Sequence, residues 1–402
     1  MQVILFDDKR WQQLLPLTFT KPTAALRIGI GTIREKWETQ MPADYAWLAE
    51  PYLQQKFPVN YGSDNLYIYG GVIPNNKLIA ALQALKNNEA LISDNEVIAI
   101  RSTEQYFSGM SLVNHAKGLT LTNYTDKLIC ITRTWHLFQF NDEVLRSDYA
   151  IVTANRKSQE ISNTNTIIGK DIFVEPGAKI EACIINTQAG PVYIGSDAEI
   201  MEGSMIRGPF ALGKHATVKM GSKIYGATSI GPYCKVGGEI NNSIFIGYSS
   251  KAHDGFVGNS VIGEWCNMGA DSNNSNLKNN YAEVKLWDYP AQKFVNTGLQ
   301  FCGLIMGDHS KCGINTMFNT GTVVGVNANI FGDGFLRNFI PSFSWGGAAG
   351  FVTYKLSDAL GVASEVMKRR NLELLDVDIK ILTTVYELSE KYRKGQLIFL
   401  HK

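Results

Sequence analysis

Several things are scarce in this 402-residue chain, and each scarcity excludes a class of protein. There are six cysteines (Cys130, Cys183, Cys234, Cys266, Cys302 and Cys312) and no CxxC pair, so neither a disulfide framework nor a zinc site is indicated. Reduced thiols are expected. No apolar run reaches the roughly 18 residues that crossing a bilayer requires. Neither sign of charge dominates: 38 Lys plus Arg face 37 Asp plus Glu, a net charge of +1, which argues against the broad basic surface of a nucleic-acid binder. The opening MQVILFDDKR meets Asp7 and Asp8 too early to form the hydrophobic region of a secretory signal. A cytoplasmic protein with no membrane or nucleic-acid partner is the expectation.

With 45% hydrophobic and 19% charged residues, a chain of this length is expected to form two globular domains. Residues 1–155 mix β-rich runs (MQVILF, NLYIYGGVI) with the helically spaced KLIAALQALKN, which indicates an α/β domain.

From Ile168 the period changes to six. Ile194, Ile200, Ile206, Leu212, Val218, Ile224, Ile230 and Val236 are eight aliphatic residues in unbroken register. Ile168, Val174 and Ile180 precede them; Phe256, Ile262 and Met268 follow, and Met306, Cys312, Phe318, Val324 and Ile330 restore the period. This is a hexapeptide β-helix repeat, in which stacked coils bury one residue per short strand. It spans about residues 156–340, with Gly following the inward residue at Gly195, Gly213, Gly231, Gly263 and Gly307.

The register fails twice. Ile240 and Ile246 fall out of phase around His253, and a polar stretch at about 271–300 reads as a projecting loop. Function is expected where a regular scaffold is interrupted. Residues 341–402 form an exit segment and C-terminal helices, with Ser357 as a cap and Leu374, Val377, Ile381, Val385 and Leu388 as an apolar stripe.

The segment VGGEINNSIFIGYSSKAHDGFVGNSVIGEWCNMGADSNNSNL resembles the acyltransferase half of the bifunctional enzymes that acetylate glucosamine 1-phosphate and then attach a nucleotide, N-acetylglucosamine-1-phosphate uridylyltransferases that serve UDP-N-acetylglucosamine biosynthesis. The resemblance rests on His253 with an aromatic-Val-Gly segment after it, on Ile262 to Ala270, and on Asn276. It implies a left-handed coil, a homotrimer, and His253 as the general base that helps a sugar amine attack acetyl coenzyme A. It also implies that Asn276 helps hold the attacking nitrogen, that Asn267 contacts substrate, and that the Ala270 main chain lies where the coenzyme binds.

Two positions depart from the family pattern. Phe256 stands where a tyrosine is usual, and Asn241 and Asn242 replace a phosphate-binding lysine pair, which leaves Lys235, Lys251, Arg207 or a lysine of the projecting loop to compensate a sugar phosphate.

The front segment VILFDDKRWQQLLPLTFTKPTAALRIG resembles the nucleotidyltransferase half and a divergent sugar nucleotidyltransferase-like subfamily, with an implied Rossmann-like fold. Thr18 and Lys21 are the candidates for a nucleoside triphosphate, and the sequence leaves open whether Mg2+ binds with it. The Gly-rich phosphate loop is absent, and Gly71 holds the place of a frequent metal-binding aspartate. Three functions therefore stand side by side: acetyl-CoA-dependent acylation of an amino-sugar 1-phosphate or nucleotide-linked amino sugar; a sugar-1-phosphate nucleotidyltransferase whose β-helix oligomerises it; and a non-catalytic sugar-nucleotide-binding regulator.

Overall fold

The computed structural model describes residues 1–394 in two compact units. The first holds residues 1–14, 18–26 and 31–133. Its six-stranded sheet runs Asp44–Leu48, Gln2–Phe6, Asn65–Tyr69, Glu96–Ser102, Glu89–Ser93 and Thr120–Asn123. The first three strands are parallel; Val3 to Phe6 and Leu66 to Tyr69 are at most 1% exposed, so these are continuous buried runs of the kind a Rossmann-like sheet needs. Helix Ile33–Gln40 starts at a capping box in which Thr32 and Glu35 satisfy each other's amides.

The second unit holds residues 15–17, 27–30 and 134 onward. Helix His136–Val152 is fixed to the coils through Asn141, which is fully buried: Nδ2 donates to Ala227 O at 2.7 Å, while Oδ1 accepts from the Gly29 amide and the Ser229 hydroxyl.

The rest is the β-helix. Three sheets of nine, ten and six strands, parallel except for the terminal antiparallel strand Gly350–Thr353 of the second, take strands from the successive coils, so Ile194, Ile200 and Ile206 enter the first, second and third sheets in turn. Inward residues stack as lanes, for example Ile180, Ile200, Val218 and Val236 in the second sheet. Each coil thereby covers the apolar rung of the next.

The corner between the first and second sheets has its own rule. Asp197, His215, Tyr233, Tyr248, Trp265, His309 and Asn327 all adopt left-handed backbone angles there, with φ from 52° to 62°. Coil stacking brings their rings face to face, with Tyr233 on Tyr248 at 4.9 Å and Tyr248 on Trp265 at 4.2 Å. The residue after each is small and buried (Ala198, Ala216, Cys234, Ser249, Cys266, Ser310, Ala328). Two of the cysteines are thus corner fillers, and all six are free thiols.

The structure corrects the inward register at two points. Ile167, not Ile168, pairs with Ile185, and Val257, not Phe256, stacks on Ile240. The 271–300 stretch keeps the coil as far as Asn274, then forms an antiparallel hairpin, Lys285–Asp288 with Lys293–Asn296. Trp287 of this hairpin lies flat on Phe339 at 4.2 Å, so the segment is packed rather than projecting. Helices Leu356–Lys368, Asp376–Leu388 and Glu390–Lys394 follow. Ser357 sits inside the first of these, whose N-cap is Lys355, and Ile381 and Val385 of the expected stripe are buried while Leu388 is exposed.

Candidate active site

The phase break around His253 comes from changes in corner length. Regular coils take six residues from the second-sheet lane to the third, as from Val218 to Ile224. The next coil does it in four, from Val236 to Ile240, through Gly237 and Gly238. The following one, Lys251 to Val257, returns to six. A short corner between taller ones leaves a notch.

That notch is a cleft of about 630 Å³. Met201, Lys219 and Met220 line it from earlier coils, Gly238 from the short corner, and Ala252, His253, Asp254, Ala270 and Asp271 from later ones. Its volume lies within the range of small-molecule sites. His253 is exposed, and its ring makes no hydrogen bond among the described residues.

The two glycines are required by close approach. A Cβ on Gly237 would lie 2.4 Å from Ala252 O; one on Gly238 would lie 2.8 Å from Gly255 O and 3.0 Å from His253 O. The Glu239 amide donates to Gly255 O at 3.2 Å, so the short corner seats the His253 corner directly.

Of the sequence candidates, His253 and Ala270 share the cleft. Phe256 and Asn276 both lie over Gly258 on the adjoining third-sheet face, where a Cβ would lie 2.5 Å from Phe256 Cζ and 2.7 Å from Asn276 Nδ2. The Asn276 amide also donates to Asn259 Oδ1 at 2.8 Å. Asn267 and Arg207 are exposed on strands and do not line the cleft.

Lys251, expected beside a phosphate, is instead 1% exposed, with its ammonium turned into the coil. Lys235 is exposed, and partial burial together with Arg370, Lys219 and Arg369 lowers its pKa. Of these four cations Lys219 lines the cleft, and the other three are not among its lining residues. Sequence reading missed Lys219, Asp254, Asp271 and the two arginines. The one available signal was the short VGGE corner, which places a notch at the height of Lys219.

In the first unit Thr18 and Lys21 are 1% and 4% exposed, and the Thr18 hydroxyl donates to Trp11 O at 2.7 Å. Asp8 and Arg10 are a buried ion pair, with the guanidinium 3.4 Å from the Tyr69 ring centre. Asp7 accepts from the Thr23 amide, and burial pushes its carboxyl up to about 7, with Glu50 and Asp8 adding to the rise. A Cβ on Gly71 would lie 2.4 Å from Ile131 O, so the packing leaves no room for an aspartate there.

The fold and site thus define a parallel β-helix protein with a histidine-bearing corner cleft and a Rossmann-like front unit. A family model described as sugar nucleotidyl transferase matches residues 3–157. No curated protein matches the chain. Among solved structures, it is similar to the polySia specific acetyltransferase NeuO (15% identity, 51% of this chain and 94% of that one, TM-score 0.27). It is also similar to the UDP-N-acetylglucosamine acyltransferases of Arabidopsis (14%, 60% and 93%, TM-score 0.22) and Campylobacter jejuni (16%, 56% and 95%, TM-score 0.18).

Proposed function

We propose that this protein is an acetyl-CoA-dependent N-acyltransferase acting on an amino-sugar 1-phosphate or a nucleotide-linked amino sugar. The observation that carries the reading is His253, exposed and with a ring that makes no hydrogen bond among the described residues, in a cleft made where the coil shortens. A neutral imidazole there accepts the proton as the amine attacks the thioester carbonyl; the C–N bond forms, the C–S bond breaks, and the thiolate leaves. Lys219 on the cleft wall offers a cation for a phosphate, and Lys235 feels the charges of Lys219, Arg369 and Arg370. Assembly as a homotrimer belongs to the same proposal.

The test is thiol release from acetyl-CoA with glucosamine 1-phosphate and with UDP-glucosamine as acceptors. His253→Ala is expected to lower the rate by roughly 10²–10⁴-fold. A His253→Ala protein as fast as wild type would end the reading.

The family match over residues 3–157 favours a second reading, sugar-1-phosphate nucleotidyl transfer by the front unit. Lys21 is its cationic candidate, although it is buried. Pyrophosphate release from UTP or dTTP with sugar 1-phosphates tests it, and release undiminished in Lys21→Ala would exclude Lys21 from the chemistry.

A further inference from the structure

A lysine occupies a place in the coil interior that apolar residues fill elsewhere. Lys251 pairs with Val236 in the lane that begins Ile180, Ile200, Val218, and it is among the largest fully buried side chains of the protein. An ammonium among apolar rungs costs desolvation that only good hydrogen bonds offset. Its bonds are specific: Nζ donates to the main-chain carbonyl of His253 and, at 3.0 Å, to that of Asp254. The Asp254 carbonyl also accepts the Asp271 amide at 3.0 Å.

We propose that Lys251 is a positioning residue for His253, gripping the main chain of the His253 corner from inside the coil so that the imidazole is held over the cleft. Main-chain bonds also reach this corner, from the Glu239 amide to Gly255 O and from the Asp271 amide to Asp254 O, and Asn273 Oδ1 accepts from the Phe256 amide at 2.7 Å, but among the described residues it is Lys251 that bonds the His253 carbonyl itself. Gly255, with φ of 114°, lies against Ser272, where a Cβ would come 2.3 Å from the Ser272 carbonyl oxygen, and the facing corner is the Gly237–Gly238 pair. Glycines permit close approach but grip nothing with a side chain. Lys251 supplies the grip. Burial lowers its pKa to about 8, against the opposing effects of Asp254, Cys312 and Asp271, so it remains mostly charged at neutral pH.

The inference rests on the acyltransferase reading for its kinetic arm only. Lys251→Met places a side chain of similar length beside Met268 in the same sheet. The expected result is a melting temperature unchanged or raised, kcat for thiol release lowered about 10- to 100-fold, and KM for acetyl-CoA unchanged. A lysine with only a structural role would give the reverse, a lower melting temperature with unchanged kcat. A Lys251→Met protein that melts like wild type and keeps its full rate, while His253→Ala does not, overturns the positioning role and leaves the acyltransferase reading intact.

If wild type releases no thiol from any acceptor, the function fails and the positioning role is read from the His253 ring resonances. Broadened or doubled signals in Lys251→Met support it; signals identical to wild type overturn it. Should Lys251→Met not fold, Gly238→Ala tests the same geometry with Lys251 intact, because the new Cβ presses on the His253 carbonyl. It is expected to broaden the same resonances, and sharp, unmoved ones would overturn the proposal.

Discussion

The coils from Ile194 to Val236 and those from Phe245 to Asn274 share one architecture, yet they spend their interior positions differently. In the first set every rung is aliphatic and at most 2% exposed. In the second, Lys251 and Asn274 take rung positions, in lanes otherwise held by Val236 and by Ile240 and Phe318. Both polar rungs reach for main chain: Lys251 holds the His253 corner, and Asn274 accepts from the Gly258 amide at 3.0 Å while donating to Gly258 O at 3.1 Å. The regular coils derive stability from their lanes, whereas the irregular ones give up apolar burial to hold particular corners.

Substitutions in the two sets should therefore fail differently. Ile224→Ala, in the regular set, removes a fully buried rung and is expected to destabilise by about 3 kcal/mol in chemical denaturation, without altering the cleft. Asn274→Ala should cost about 2 kcal/mol, because it leaves the buried Gly258 amide without its acceptor, while the Gly258 carbonyl keeps the Ser260 hydroxyl. Its distinguishing sign is faster amide exchange confined to Gly258 and its neighbours; exchange spread evenly over the coils would put Asn274 in the same class as Ile224.

Lys251 supplies a pH-dependent difference. Its folded pKa, about 8, lies below the ordinary 10.5, so between those values the unfolded chain binds the extra proton. Stability should rise with pH across that window, by at most about 1.4 kcal/mol per pH unit, and this rise should be missing from Lys251→Met. Tyr233→Ala, in the stacked corner of the regular set, should cost about 1 kcal/mol and leave acyl transfer unchanged. A rate loss there would show that the aromatic corner and the cleft are coupled.

The sequence revealed the coils because one inward residue per strand imposes a period that can be counted, and it revealed the break because the period fails there. It did not say which of two adjacent apolar residues turns inward beyond a break. Phe256 and Val257 are both apolar, and Val257 turns inward because the steps from Ile240 to Phe245 and from Val257 to Ile262 are five residues rather than six. His253 was legible through its motif. Lys251 was legible as a cation but not as a rung, since a lysine in a repeat looks like a surface residue until its coil is aligned with its neighbours. Lys219 and Asp271 come to the cleft only through stacking, from coils 35 residues earlier and 17 later than Asp254 by number. In the front unit Pro16-Leu17-Thr18 and Lys21 matched a pattern, but burial of Thr18 and Lys21 is a property of packing that the pattern does not carry.

The most direct test of the contrast between the two sets uses two histidines at coil corners: His215 in the regular set, stacked on Tyr233, and His253 in the irregular set, in the cleft. Thiol release from acetyl-CoA with an amino-sugar phosphate should be measured for His215→Ala and His253→Ala under identical conditions. The expected result is a near wild-type rate for His215→Ala and a loss of roughly 10²–10⁴-fold for His253→Ala. Equal rates in the two variants would contradict the assignment of catalysis to the broken coils.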